Sequence, residues 1–320
     1  MALYYINHIT KHSYSGYVTD GATEIRLYPI NNEFQKVISH NILVSNNPNI
    51  HTFEDFYANT VGSFMLVQPH DILYIESNIE VLTQPTTLPT DKETSRKQWN
   101  LLESLKNDPM FMDFLRAVNF DGTPLIKDMV GKLDVTKLTP YQLALHFNEY
   151  MYSNFKYFQG VTQVDSKLDH VWNIKAGVCQ DFTSILLQIT RTAGIPSRYV
   201  SGYICPGNGN TRGEGATHAW VEVYIPFYGW LGLDPTNNSI ASEQHIKLAI
   251  GKNYNDCAPV KGVYKGKVTD HLYVQVHISA VKNYDLEAYG DIQEAGVDVT
   301  NYKTEKNSYR EHLQFMQQQQ

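Results

Sequence analysis

The stretch Gly177-Val178-Cys179-Gln180-Asp181-Phe182 decides how the rest of this 320-residue chain is read. From Cys179 onward, Phe182, Ile185, Leu186 and Ile189 recur at helical spacing until Gly194-Ile195-Pro196, so a helix opening at Cys179 is expected. A thiol at that place meets the unpaired N–H groups and the positive end of the helix dipole, which favour thiolate over thiol. Gly177 lets the backbone approach closely, leaving room for a substrate carbonyl, and the Cys179 N–H is a natural oxyanion donor. Such a thiol needs a base and a group to orient that base. His218 opens the expected strand 219–225, and Asp234 closes Gly229-Trp230-Leu231-Gly232-Leu233 just before Pro235. Neighbouring strands would bring the carboxylate to the imidazole.

Working outward, 198–204, 219–225, Ile246/Leu248/Ile250 and 272–278 read as strands. Asp108-Pro109 and Thr139-Pro140 each pair an N-cap with proline at the first helical position. They lead Phe111, Phe114, Leu115 and Val118 in one helix, and Leu143, Phe147, Tyr150 and Met151 in the other. Residues 1–84 carry alternating runs such as 25–29 and 72–81 between turn signals such as Asn46-Asn47-Pro48-Asn49, the pattern of a small β-sandwich. The Pro/Thr-rich 85–90 is a linker, 91–285 a catalytic domain and 286–320 a polar tail. The fold class expected is therefore α+β.

Several classes are excluded. The net charge of −7, without a basic stretch, argues against nucleic acid or an anionic membrane as partner. Three cysteines without a C-x-x-C pair give neither a disulfide framework nor a cysteine-rich zinc site. A Cys/His/Asp zinc site lacks the closely spaced ligands such sites use, so no metal is expected. The first residues show no basic-then-apolar leader and no run spans a bilayer, so a cytoplasmic protein is expected. The glycine-bearing run 206–215 lacks a phosphate-loop lysine and reads as a hairpin flanking the cleft. Cys205, Cys257, His170 and His245 are read as structural or surface residues, and Asn237-Asn238-Ser239 as a glycosylation triplet of little weight.

Taken together, Gly177–Phe182, 194–203, His218-Ala219-Trp220-Val221-Glu222-Val223-Tyr224 and 229–236 resemble the bacterial transglutaminase-like cysteine peptidases, and the resemblance continues through 245–256. It covers most of the chain to about residue 280, including the N-terminal β region. Lys252-Asn253 stands where the family often has Arg-Asp. The resemblance implies a papain-like core of helices on an antiparallel sheet, with Cys179 as nucleophile, His218 as general base then acid, and Asp234 as orienter. A thiolate would attack a peptide or amide carbonyl of a peptide or protein substrate, without a cofactor. Hydrolysis is preferred over transfer to an amine (transglutaminase or amidase), and a non-catalytic binding module is the reading from another class. Trp220, two residues from His218 and so on the same strand face, Gln180 in the first helical turn, and Trp172 are candidates to line the cleft.

Overall fold

The computed structural model describes residues 1–134, 137–205, 212 and 217–280. The chain divides into two units, one made of Met1–Ala2, Pro29–Lys36 and Leu82–Cys257, the other of Leu3–Tyr28, Val37–Val81 and the chain from Ala258.

The β unit is organised by one long strand, β1 (Ala2–Ile25), with β2 (Gln35–Val44), β3 (His51–Glu54), β4 (Thr60–Leu66) and β5 (His70–Thr83) in the order β2-β5-β1-β4-β3. The alternation in β5 is the half-buried pattern read from the sequence: Leu73, Ile75, Ile79 and Val81 are buried. The strands expected here as a sandwich join, with two from later in the chain, in one seven-stranded sheet through β1.

The catalytic-type unit opens with α1 (Ser95–Ser104), α2 (Pro109–Leu115) and α3 (Thr123–Lys132). It continues with α4 (Pro140–Asn154), β6 (Lys156–Tyr157), α5 (Leu168–Ile174), β7 (Ala176–Gly177) and α6 (Cys179–Thr192). Both Pro-led helices start where their caps dictate, but the first ends at Leu115 and leaves Val118, expected on its face, outside it and exposed. Asp108 accepts from the Met110 N–H at 2.9 Å, and Thr139 with Gln142 closes a reciprocal capping box on α4. The third helix begins at Cys179. Its Phe182, Ile185, Leu186 and Ile189 are buried against Leu143, Phe147 and Met151 of α4 and against sheet residues Val221 and Val223.

That sheet follows in sequence: β8 (Ser197–Ile204), β9 (Thr217–Ile225), β10 (Gly229–Asp234), β11 (Ser239–Ile240) and β12 (His245–Gly251), then the short helix α7 (Tyr254–Cys257). The strands are antiparallel in the order β11-β10-β9-β8-β12. Alternate residues of β9 serve two purposes: Ala219, Val221, Val223 and Ile225 join the core with α6, while His218, Trp220 and Glu222 lie on the opposite face.

The last two strands correct the expected domain limits. The run 272–278 is a strand, β14 (Asp270–Ser279), but it and β13 (Val260–Lys265) pair with β1 and not with the sheet beside α6. β14 runs along Tyr5–Tyr14 and β13 along Thr19–Ile25, so the stretch from 258 belongs to the β unit rather than to a domain 91–285. Alternation identifies a strand without naming its partner, and these partners stand at opposite ends of the chain. The run 25–29 is strand only to Ile25. The expected tail 286–320, and the hairpin 206–215 apart from Arg212, lie outside the described residues.

Candidate active site

Cys179 occupies the first position of α6, where N–H groups lack intrahelical acceptors, and is partly exposed. The other two thiols are fully buried. Burial pushes the Cys205 thiol far up, and the Cys257 Sγ lies 3.8 Å from the Tyr199 carbonyl.

The start of α6 is held from one side by a buried carboxylate. Asp181 accepts from the Val178 N–H at 2.8 Å and from the Thr162 hydroxyl at 2.6 Å, while burial raises its pKa against those bonds. A Cβ on residue 177 would stand 2.4 Å from the Asp181 carboxylate. The space left by Gly177 is thus taken by Asp181, not by a substrate carbonyl as the sequence suggested. Gln180 donates to the Val164 carbonyl at 2.9 Å, so its amide pins the preceding loop rather than standing free in a cleft.

His218 and Asp234 meet as expected. The imidazole Nε2 lies 2.8 Å from Asp234 Oδ2, and both side chains are sealed from solvent. Asp234 ends β10 inside a ring of donors. Oδ2 also accepts from Asn237 Nδ2 at 2.8 Å and faces His245 Nε2 at 3.3 Å, while Oδ1 accepts from the Thr236 N–H at 2.9 Å. Burial alone would raise this carboxyl, but His218 and then His245 hold it far below the usual carboxylate range. For His218 burial likewise opposes the charge. Asp234, and after it Cys179, outweigh it and bring the imidazole up to about 10. With Nε2 committed to Asp234, the buried Nδ1 has no hydrogen-bond partner among the described residues.

Trp220 packs behind the imidazole, its ring 6.3 Å from that of His218 and inclined by 28°. It fits because its neighbours across the sheet are glycines. A Cβ on Gly202 would lie 2.8 Å from the indole and 2.0 Å from the Ile246 carbonyl, and one on Gly232 would lie 3.3 Å from the indole nitrogen. Trp172, by contrast, belongs to the core: it packs edge-on to Phe120, against Phe155 and under the Lys175 ammonium. It is a core residue rather than a cleft candidate.

Four contributors escaped the sequence reading. His245, assigned there to structure or surface, faces the same carboxylate as His218. Asn237, read only as part of a glycosylation triplet, is an Asp234 donor. Arg212 donates to the Thr236 carbonyl at 3.3 Å and, through its N–H, to Asn237 Oδ1 at 2.8 Å, closing the turn that holds both. Tyr157 sits close enough to Cys179 and Asp234 for their charges, after burial, to raise its phenol. The sequence signal available was His245 at the head of an alternating run. His218, Asp234 and His245 also bring ligand-capable atoms within 4.8 Å of one another, the arrangement a divalent metal would use, although both Nε2 atoms here are turned onto Asp234 Oδ2.

Residues 127–235 match the model of the transglutaminase-like superfamily, and residues 4–82 match that of the bacterial transglutaminase-like N-terminal region. An uncharacterised protein of Mycobacterium leprae is 32% identical over 276 residues, covering 85% of this chain and 96% of its own. The chain belongs to the transglutaminase-like superfamily. A protein-glutamine gamma-glutamyltransferase of Pseudomonas aeruginosa is 30% identical over 123 residues, 36% of this chain and 18% of the relative. The crystal structure of a candidate cysteine protease from Cytophaga hutchinsonii superposes with a TM-score of 0.68 at 18% identity, covering 87% of this chain and 91% of the other, and shows the same fold. This family supports a cysteine acyl-transfer enzyme type.

Proposed function

We propose that this superfamily member hydrolyses peptide or amide bonds of a peptide or protein substrate through Cys179, His218 and Asp234. The observation that carries the proposal is the His218 ring. One nitrogen is locked on a buried carboxylate and the other is buried and unpartnered, on the imidazole whose basicity Cys179 raises. Asp234 fixes the tautomer by holding Nε2–H, so the proton passed from the Cys179 thiol rests on Nδ1 and the pair stands as thiolate and imidazolium.

The steps follow from that tautomer. The thiolate attacks the carbonyl carbon to form the C–S bond, and N–H groups at the start of α6 receive the oxyanion. His218 returns its proton to the amine as the C–N bond breaks, leaving a thioester. Water, deprotonated by the same nitrogen, then attacks the thioester and releases the acid and the thiol. Asp234 stays ionised throughout and supports the imidazolium.

Transfer of the acyl group to an amine is the second reading, favoured by the gamma-glutamyltransferase name of the Pseudomonas aeruginosa relative. Both are tested by incubating the protein with a peptide library in heavy-oxygen water, with and without a primary amine, and reading products by mass spectrometry. Label in new carboxylates supports hydrolysis, and amine adducts in excess over them support transfer. No product of either kind, with Cys179 intact and accessible, sinks both.

A further inference from the structure

Behind His218, on the sheet face away from α6, lies a cavity of about 480 Å³ formed wholly by the catalytic-type unit. That volume falls in the range used for small ligands. Its inner wall includes Trp220, which packs on His218, and His245, which faces Asp234. Its floor is Glu222, buried and shared by two cations. Arg198 bonds one carboxylate oxygen through Nε and Nη2, both at 2.6 Å, and Lys247 bonds the other.

The count of charge and donors on this floor is uneven. Two cations share one carboxylate, leaving one positive charge in excess. The Glu222 bonds use two of the five guanidinium N–H donors, on Nε and Nη2, and one ammonium donor. Arg198 also sits over the Trp230 ring, its Cζ 4.2 Å from the ring centroid, a cation–π contact that braces the guanidinium. Lys247 sits where β12 changes register against β8, between Lys247 and Ala249. A bulge of this kind re-aims a side chain, and here it accompanies the ammonium placed beside Glu222. The remaining charge at the rim is Glu33, exposed to solvent. Trp230 and Phe227 supply an apolar wall.

We propose that this cavity binds a small carboxylate with an apolar or aromatic body, its carboxylate on the spare donors of Arg198 and Lys247 and its body against Trp230. The ligand is distinct from the acyl group carried on Cys179, and it touches the wall that backs His218. The inference does not depend on the hydrolytic reading, because binding is measured without turnover.

The probe is N-acetylphenylalanine, with N-acetylphenylalanine amide as its uncharged counterpart, followed by indole fluorescence and by isothermal titration on the full chain. Trp220 and Trp230 line the cavity and report directly. The carboxylate is expected to bind at least about 10-fold more tightly than the amide, the scale of one charge-assisted hydrogen bond. Lys247→Gln is expected to weaken it by a similar factor. Glu222→Gln, which leaves both cations unneutralised, is expected to tighten it, a direction that damage to the fold would not produce. Circular dichroism verifies each variant. Equal binding of acid and amide, absence of saturable binding into the millimolar range, or weaker binding in a folded Glu222→Gln protein each overturns the proposal. His218→Ala should retain binding whether or not it abolishes any hydrolysis, which separates this inference from the proposed reaction.

Discussion

Replacing Asp234 by asparagine tests the buried pair at its electrostatic centre. The side chain keeps its volume but loses the charge that faces His218 at 2.8 Å and His245 at 3.3 Å, with no solvent contact to compensate. Removing one partner of a buried charge pair costs about 3–5 kcal/mol. The pH dependence of that cost is fixed by two signs. The Asp234 carboxyl is depressed in the folded state, so its contribution is present above its unfolded value near 3.8 and is lost as pH falls below it. The His218 imidazole is raised from 6.5 to about 10, so its contribution is complete below 6.5 and fades as pH rises through about 10. The stability difference between the wild type and Asp234→Asn should therefore plateau between about pH 4 and 6.5 and shrink on both sides. Guanidinium unfolding of both proteins across this range measures it. A difference that stays below about 1 kcal/mol, or is flat from acid to alkaline pH, refutes the reasoning, because an exposed or unpaired carboxylate gives that result.

Trp220→Ala empties the slot between Gly202 and Gly232 and should cost about 3–5 kcal/mol in chemical denaturation, the scale of deleting a buried large aromatic. Gly202→Ala should leave little folded soluble protein, because its methyl would stand 2.0 Å from a backbone carbonyl that cannot retreat like a side chain, and a normal circular dichroism spectrum and melt would contradict this. Thiol mapping of the native protein should find label on Cys179 alone, with Cys205 and Cys257 reacting only after unfolding. Asn237→Ala removes one of the donors on Asp234 Oδ2 and should cost about 1–3 kcal/mol, read by the same unfolding assay.

What the sequence made legible was local. Caps, helical spacing and alternation located α2, α4, α6 and most of the strands, and the order of Cys179, His218 and Asp234 pointed to one site. What remained hidden depends on lateral register. His245 comes near Asp234 because β12 pairs with β8 from His245 to Ile204, and β8 pairs with β9 from Gly202 to His218, relations between strands that no single strand's alternation encodes. The same register sets Lys247 across from Gly202, in the row of His218, and its long side chain reaches from there to Glu222, which pairs with Arg198. Gly177 shows the converse difficulty: a glycine before a reactive thiol suggests space for a substrate, but the side chain that fills the space, Asp181, lies four residues on and turns back. The partners of β13 and β14 were hidden for the reason given by chain distance, since β14 closes on the start of β1.

The most direct measurement of the central claim is the rate of Cys179 alkylation by iodoacetamide as a function of pH, in the wild type and in His218→Ala. If Cys179 and His218 work as a thiolate–imidazolium pair, rapid alkylation persists well below about pH 8.5, the range of a free thiol, and is lost in the variant. If instead the wild type reacts only as an ordinary thiol does, or if His218→Ala leaves the profile unchanged, the two residues are not a catalytic pair and the scaffold serves binding alone.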